Sequence, residues 1–192
     1  INNSDVLKRL GLTKGKYILL SAHREENIDI ENNFFSLMNA VNAMAEKYNM
    51  PILYSCHPRS KKFIEQRGFK FDKRVIQHQP LGFHDYNNLQ LNAFCVVSDS
   101  GTIPEEAGYL KFPAVSIRTS TERPEAMDKG VFIIGSITTD HILQAVDLAV
   151  EMHRNGDDAI SVPSYSDQNV AAKVVKLIQS YVGIVNKMVW RK

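Results

Sequence analysis

The 192 residues are 44% hydrophobic and 23% charged, the usage of a folded globular chain, and a single domain over 1–192 is expected. Lys and Arg number 23 against 21 Asp and Glu, a formal charge of +2, too small a field to gather nucleic acid or an anionic membrane, so any anion must be met locally. No apolar stretch approaches the roughly 20 residues of a bilayer span, and the polar start Ile1-Asn2-Asn3-Ser4 is unlike a secretory signal.

The first apolar run, Tyr17 to Ala22, reads as a buried strand and empties into Ser21-Ala22-His23-Arg24-Glu25-Glu26-Asn27. At a strand end His23 and Arg24 suit a phosphate, and His23 can also move a proton near neutral pH. A loop of solvated charges reads equally well. Phe34, Met38, Val41 and Ala45 then mark one helical face, closed by Pro51. The second strand, Ile52 to Cys56, is followed by His57-Pro58-Arg59-Ser60, either a second anion contact or a helix-capping turn.

A third strand is expected at Val75 to His78 and a fourth at Phe94 to Ser98, leading into Asp99-Ser100-Gly101-Thr102-Ile103-Pro104-Glu105-Glu106. Pro104 suits the first turn of a helix, and backbone N–H groups of the Ser100-Gly101-Thr102 turn would cradle a diphosphate. Neither GxGxxG nor a P-loop occurs. A fifth strand, Ala114 to Ile117, precedes Arg118-Thr119-Ser120-Thr121-Glu122-Arg123-Pro124-Glu125, whose arginines and glutamates fit either a ligand loop or surface ion pairs. Two further amphipathic helices are marked by Ile142, Val146, Ala149 and Met152, and by Val170, Val174, Leu177, Ile178 and Tyr181.

Strands apolar on both faces, alternating with crossover-length helices, predict an α/β three-layer sandwich of Rossmann type around a parallel sheet. Ligands of such sheets bind beyond the carboxyl ends of the strands, where all four polar clusters fall. Cys56 and Cys95 lie in apolar runs without CxxC spacing and read as reduced core thiols, which suits a cytoplasmic protein. His78, His84, His141 and His153 show no ligand spacing, and no metal site is expected. The absence of an initial Met points to a fragment or a processed chain.

Tyr17-Ile-Leu-Leu-Ser-Ala-His-Arg-Glu-Glu-Asn27, His57-Pro58, Ser98-Asp-Ser-Gly101 with Glu105-Glu106-Ala107, and Thr121-Glu-Arg-Pro-Glu125 together resemble the C-terminal domain of non-hydrolysing UDP-N-acetylglucosamine 2-epimerases. The resemblance runs in order over essentially all 192 residues. It implies the C-terminal half of a GT-B fold, with substrate held between two Rossmann-like domains. By position, His23 matches the active-site histidine beside the diphosphate and Arg24 its neighbour, with Asn27 closing the same segment. Ser100 and Gly101, with Thr102 beside them, match the phosphate cradle, and Glu106 the acceptor of ribose hydroxyls, so that its loss should weaken UDP binding with little cost to the fold. Arg123 matches an arginine near sugar and phosphates, Tyr86 an aromatic against uracil with Phe83 also near, and His57 a histidine that helps hold a second, activating UDP-sugar. Two positions depart from the pattern: Glu25 stands where the family usually has arginine, and Thr102 where it has glycine. The stretches Arg118 to Arg123 and Ile178 to Lys192 look more like the subgroup acting on UDP-2-acetamido-2,6-dideoxy-L-talose.

The activity implied is inversion at C2 of a UDP-sugar for polysaccharide precursors: UDP is eliminated to leave a 2-acetamidoglucal, then added back with the proton on the opposite face. The family's acid/base carboxylates lie in its N-terminal domain, so this chain should bind UDP without epimerising. No cofactor, nucleic acid or membrane partner is implied, and a homodimer is expected of the full-length enzyme. A GT-B glycosyltransferase donor domain and a non-catalytic nucleotide-sugar sensor are the alternatives.

Overall fold

The computed structural model describes residues 1–157 and 161–192. In chain order the first unit comprises α1 (Val6–Arg9), β1 (Ile18–Ser21), α2 (Glu25–Ile28), α3 (Glu31–Tyr48), β2 (Ile52–Ser55), α4 (Pro58–Gln66), β3 (Val75–His78) and α5 (Phe83–Asn92). It continues with β4 (Cys95–Ser98), α6 (Ile103–Leu110), β5 (Ala114–Ser116), α7 (Pro124–Asp128), β6 (Ile133–Ile134) and α8 (Thr139–Asn155). The chain divides into two compact units, 1–162 and 163–192.

The six strands form one sheet in the order β3-β2-β1-β4-β5-β6, every pair parallel. All five strands expected from the sequence are present. The additional one, β6, is two residues long, in a run bounded by Gly130 and Gly135. Side chains alternate across the sheet. Ile18, Leu20, Ile52, Tyr54, Cys95, Val97 and Val115 join one buried cluster with α3 and α8, while the intervening Leu19, Leu53 and Val96 are equally buried but outside it. Both faces are therefore covered, as continuously apolar strands require.

Helix α3 buries the predicted Phe34, Met38, Val41 and Ala45 together with Leu37 and Met44, and ends at Asn49 in the left-handed region. Helix α8 buries Ile142, Val146 and Ala149 and ends at Gly156, whose φ of +79° few other residues adopt readily. Cys56 and Cys95 are free and buried.

The chain runs outward in opposite directions from β1, to β2 and β3 on one side and to β4, β5 and β6 on the other. The crevice between the ends of β1 and β4 is thus the switch point of the sheet. Ser21 pairs with Ser98, and Asp99 N–H donates to the Ser21 carbonyl at 3.1 Å, carrying the ladder one residue past the strands.

The second unit holds a short 3₁₀ turn (Pro163–Tyr165) and α9 (Val170–Met188). The helix forms where the apolar spacing predicts, but none of its residues is buried, and Val174, Leu177, Ile178 and Tyr181 are exposed. A unit of this length with one long helix has too little chain to enclose an apolar face of its own. Among the described residues no helix is long and apolar enough to cross a membrane.

Candidate functional site

The crevice between β1 and β4 is built on one buried carboxylate. Asp99 is 0% exposed. Its Oδ2 accepts the backbone N–H groups of His23 and Arg24, both at 2.9 Å, and Nδ2 of Asn27 at 3.1 Å. Its Oδ1 lies 3.1 Å from His23 Nδ1. Asn27, 2% exposed, also donates to the Ile117 carbonyl at 3.0 Å and so fastens this turn to the end of β5. Expected among the binding residues, Asn27 has its amide committed to the scaffold. The preceding carbonyl, that of Ala22, accepts both Tyr54 OH (2.8 Å) and Ser60 Oγ (2.6 Å), which ties the turn to β2 and α4.

The His23 side chain remains 42% exposed. The hydrogen bond to Asp99 raises its pKa above the ordinary 6.5, more than burial and the Arg24 charge lower it. Arg24 Nε donates to the Asp99 carbonyl at 2.9 Å. A Cβ on Gly101 would stand 3.4 Å from the Arg24 guanidinium, so the arginine lies across that glycine.

In the turn after β4, Ser100 N–H donates to Ser98 Oγ (3.0 Å) and Thr102 N–H to Ser100 Oγ (3.3 Å). These two N–H groups, expected to cradle a diphosphate, are occupied within the turn. Glu105 and Glu106 also fill the first turn of α6 with negative charge. Positive potential at the crevice therefore comes chiefly from Arg24 and from His23 when protonated. Thr102 Oγ1 donates to Glu106 Oε1 at 2.8 Å, and Gln90 Nε2 to Glu106 Oε2. Thr102 thus gives the ribose-acceptor candidate a fixed partner that glycine would not supply.

The phenol of Tyr86 lies beside Ser21, Ser98 and Glu106, and burial is the main cause of its raised pKa. Phe83, 71% exposed, is turned outward against His84. Of the two aromatics, Tyr86 is the one at the crevice.

At the end of β5, Arg118 is 6% exposed and grips Glu122 with both terminal nitrogens, at 2.8 and 2.6 Å. Arg123 pairs through Nε with Glu105 on α6. Of the surface ion pairs read for this loop, Arg118–Glu122 forms within it but is partly buried and pins it, whereas Arg123 finds its carboxylate outside the loop. At the end of β2, His57 Nδ1 accepts Arg59 N–H at 3.2 Å and caps α4, the capping alternative. Arg59 pairs with Asp29, and with Glu25 at 3.1 Å, so the departure at Glu25 supplies a partner for an arginine. His23, Arg24, Glu25, Glu26, His57 and Arg59 surround an open cleft of about 530 Å³, with the two imidazole rings 5.9 Å apart.

Sequence reading missed Asp99 and Gln90 as organisers. Asp99 carried a signal, a carboxylate closely following the apolar run Phe94 to Val97, whereas Gln90, in the last turn of α5, carried none. Among the described residues, no three His, Cys, Asp or Glu side chains are gathered as a metal would require.

A parallel sheet in this order, with a histidine and an arginine facing a Ser-Gly turn across its switch point, defines a Rossmann-like domain. The family model described as UDP-N-acetylglucosamine 2-epimerase matches residues 1–179, and the chain belongs to that family. The structure of UDP-N-acetylglucosamine 2-epimerase from Rickettsia bellii is similar with 38% identity and a TM-score of 0.86, over 100% of this chain and 51% of that one. The Methanocaldococcus jannaschii UDP-N-acetylglucosamine 2-epimerase is 32% identical over 72% of this chain and 39% of its own length. A crystal structure of that archaeal enzyme in complex with UDP-GlcNAc and UDP gives a TM-score of 0.79 at 27% identity, over 93% of this chain and 49% of that one. The chain thus spans 39–51% of the length of these relatives, as the C-terminal half of a GT-B fold would.

Proposed function

We propose that the protein to which this chain belongs is a UDP-sugar 2-epimerase, and that residues 1–192 supply its nucleotide-binding half. The observation that carries this reading is the convergence of His23, Arg24 and the Ser100-Gly101 turn on one crevice, in a chain of this family. Epimerisation by elimination and re-addition of UDP requires that charge building on the departing diphosphate be met. Arg24 supplies a fixed positive charge for it, and His23 a proton-bearing nitrogen. Glu106, whose carboxylate Thr102 and Gln90 hold in place, is the acceptor we assign to the ribose hydroxyls, and Tyr86, whose phenol lies beside it, the aromatic we assign to the base. Arg123, braced by Glu105, is the arginine we assign to the sugar and phosphates. The acid/base carboxylates that handle the C2 proton belong to the remainder of the protein.

The complete protein, incubated with UDP-N-acetylglucosamine in D₂O, should yield the C2 epimer with deuterium at C2. A glycosyltransferase would instead release UDP only when an acceptor is added, and a sensor would bind without turnover; either result rejects the reading. The isolated chain should bind UDP weakly, one wall of the cleft being absent, and in preference to ADP. A second UDP-sugar at the His57 and Arg59 cleft, a homodimer and a cytoplasmic location complete the proposal. Activation kinetics, sedimentation and cell fractionation test them in turn.

A further inference from the structure

We propose that Asp99 is the positioning residue for His23: its carboxylate fixes the turn that carries the histidine and engages Nδ1, so that Nε2 is the nitrogen presented to the crevice. The catalytic consequence rests on the epimerase reading, whereas the geometry does not. Asp99 is fully buried, and a buried carboxylate must have its oxygens paired. Oδ2 has three N–H donors, from His23, Arg24 and Asn27. Oδ1 has no aligned hydrogen-bond donor, and the ring nitrogen that stands against it is His23 Nδ1, at 3.1 Å. A lone pair on Nδ1 would face the carboxylate lone pairs, so the proton of the neutral ring belongs on Nδ1, and the hydrogen bond at one nitrogen sets the state of the other. The exposed part of the ring lines the cleft shared with Arg24 and His57.

One residue therefore serves both sides of the switch point. Asp99 immediately precedes Ser100 and Gly101, its carbonyl holds Arg24 Nε, and its carboxylate holds the backbone of the facing turn. A diphosphate in the crevice would place the imidazolium between two anions, one behind and one in front, which favours the charged ring as the leaving group develops charge. The titratable and charged groups facing the ring are Asp99 from the end of β4, Arg24 from its own turn and His57 from the head of α4; Glu25, Glu26 and Arg59 line the same cleft.

The test begins on the unaltered chain. Nitrogen-15 NMR of the imidazoles, with His23→Ala identifying the signal, should show the Nδ1–H tautomer at high pH and a titration midpoint above that of ordinary histidines. An Nε2–H tautomer overturns the proposal without any variant of Asp99 having to fold. Asp99→Asn should lower the midpoint and shift the proton toward Nε2, and an unchanged midpoint and tautomer in a folded variant would also overturn it. In the complete protein Asp99→Asn should lower kcat by about 10²–10⁴-fold with KM little changed. It should cost far less in a His23→Ala background, because it acts through the histidine; equal losses in both backgrounds would reduce Asp99 to a structural residue. If the NMR result holds while the parent protein shows no epimerisation, the epimerase reading fails and the Asp99–His23 pairing stands.

Discussion

Replacing Glu106 by alanine removes an acceptor that two neighbours use at once. Thr102 is exposed enough for its hydroxyl to turn to water. Gln90 is 1% exposed and its Oε1 is already without a hydrogen-bond partner, so losing Glu106 leaves both ends of its amide unpaired. An unsatisfied buried donor costs about 1–3 kcal/mol. At about 2–4 °C per kcal/mol for a domain of this size, Tm should fall by about 2–12 °C. This departs from the expectation, on sequence alone, of little loss of fold. If the carboxylate also receives ribose hydroxyls, UDP binding should weaken by a further 1.5–3 kcal/mol or so, about 10–150-fold in Kd. Scanning calorimetry and isothermal titration of parent and variant measure the two effects separately. An unchanged Tm would refute the argument from Gln90, and an unchanged Kd would make Glu106 a purely structural carboxylate.

Four further outcomes are expected. Gly135→Ala should destabilise by about 1–3 kcal/mol in urea denaturation, because the added Cβ would stand 2.7 Å from Val115 Cγ1 and 3.2 Å from Ala145 Cβ. Tyr54→Phe should cost only about 0.5–1.5 kcal/mol by the same assay, since the Ala22 carbonyl keeps its bond from Ser60. Glu122, held down to about 2 by Arg118, should titrate near that value by NMR and return toward 4.5 in Arg118→Met. A depressed carboxylate stabilises the fold above its unfolded value, so this contribution is complete above about 4.5 and lost as pH falls through about 2. In the complete protein His23→Ala should lower turnover by about 10²–10⁴-fold with UDP affinity little changed; near-normal turnover would remove His23 from catalysis.

Much of the fold was legible because buried parallel strands must be apolar on both faces, which makes Ile52 to Ser55 and Cys95 to Ser98 conspicuous. Strand β6 was not, since two residues carry no period. The clusters around His23, His57, Ser100 and Arg123 were recognisable because polar residues abruptly followed each apolar run. Partners were not: that Arg118 grips Glu122 while Arg123 turns to Glu105, or that Asn27 faces inward, depends on side-chain directions that no spacing encodes. The apolar spacing of α9 marked an amphipathic helix, and that spacing could not reveal that its own unit offers nothing to cover the stripe.

The bonds from Asp99 to residues 23, 24 and 27 close loops of 76, 75 and 72 residues. Contacts so distant along the chain are gained only after the entropy of closing the intervening loop has been paid. The single turn of α2 holds only the far side of this segment by local bonds, and a chain in which β4 has not docked beside β1 has no crevice to offer. A ligand that recognises the crevice binds only the completed sheet and stabilises it by mass action. Occupancy of the site thus doubles as a report that the two halves of the sheet have joined.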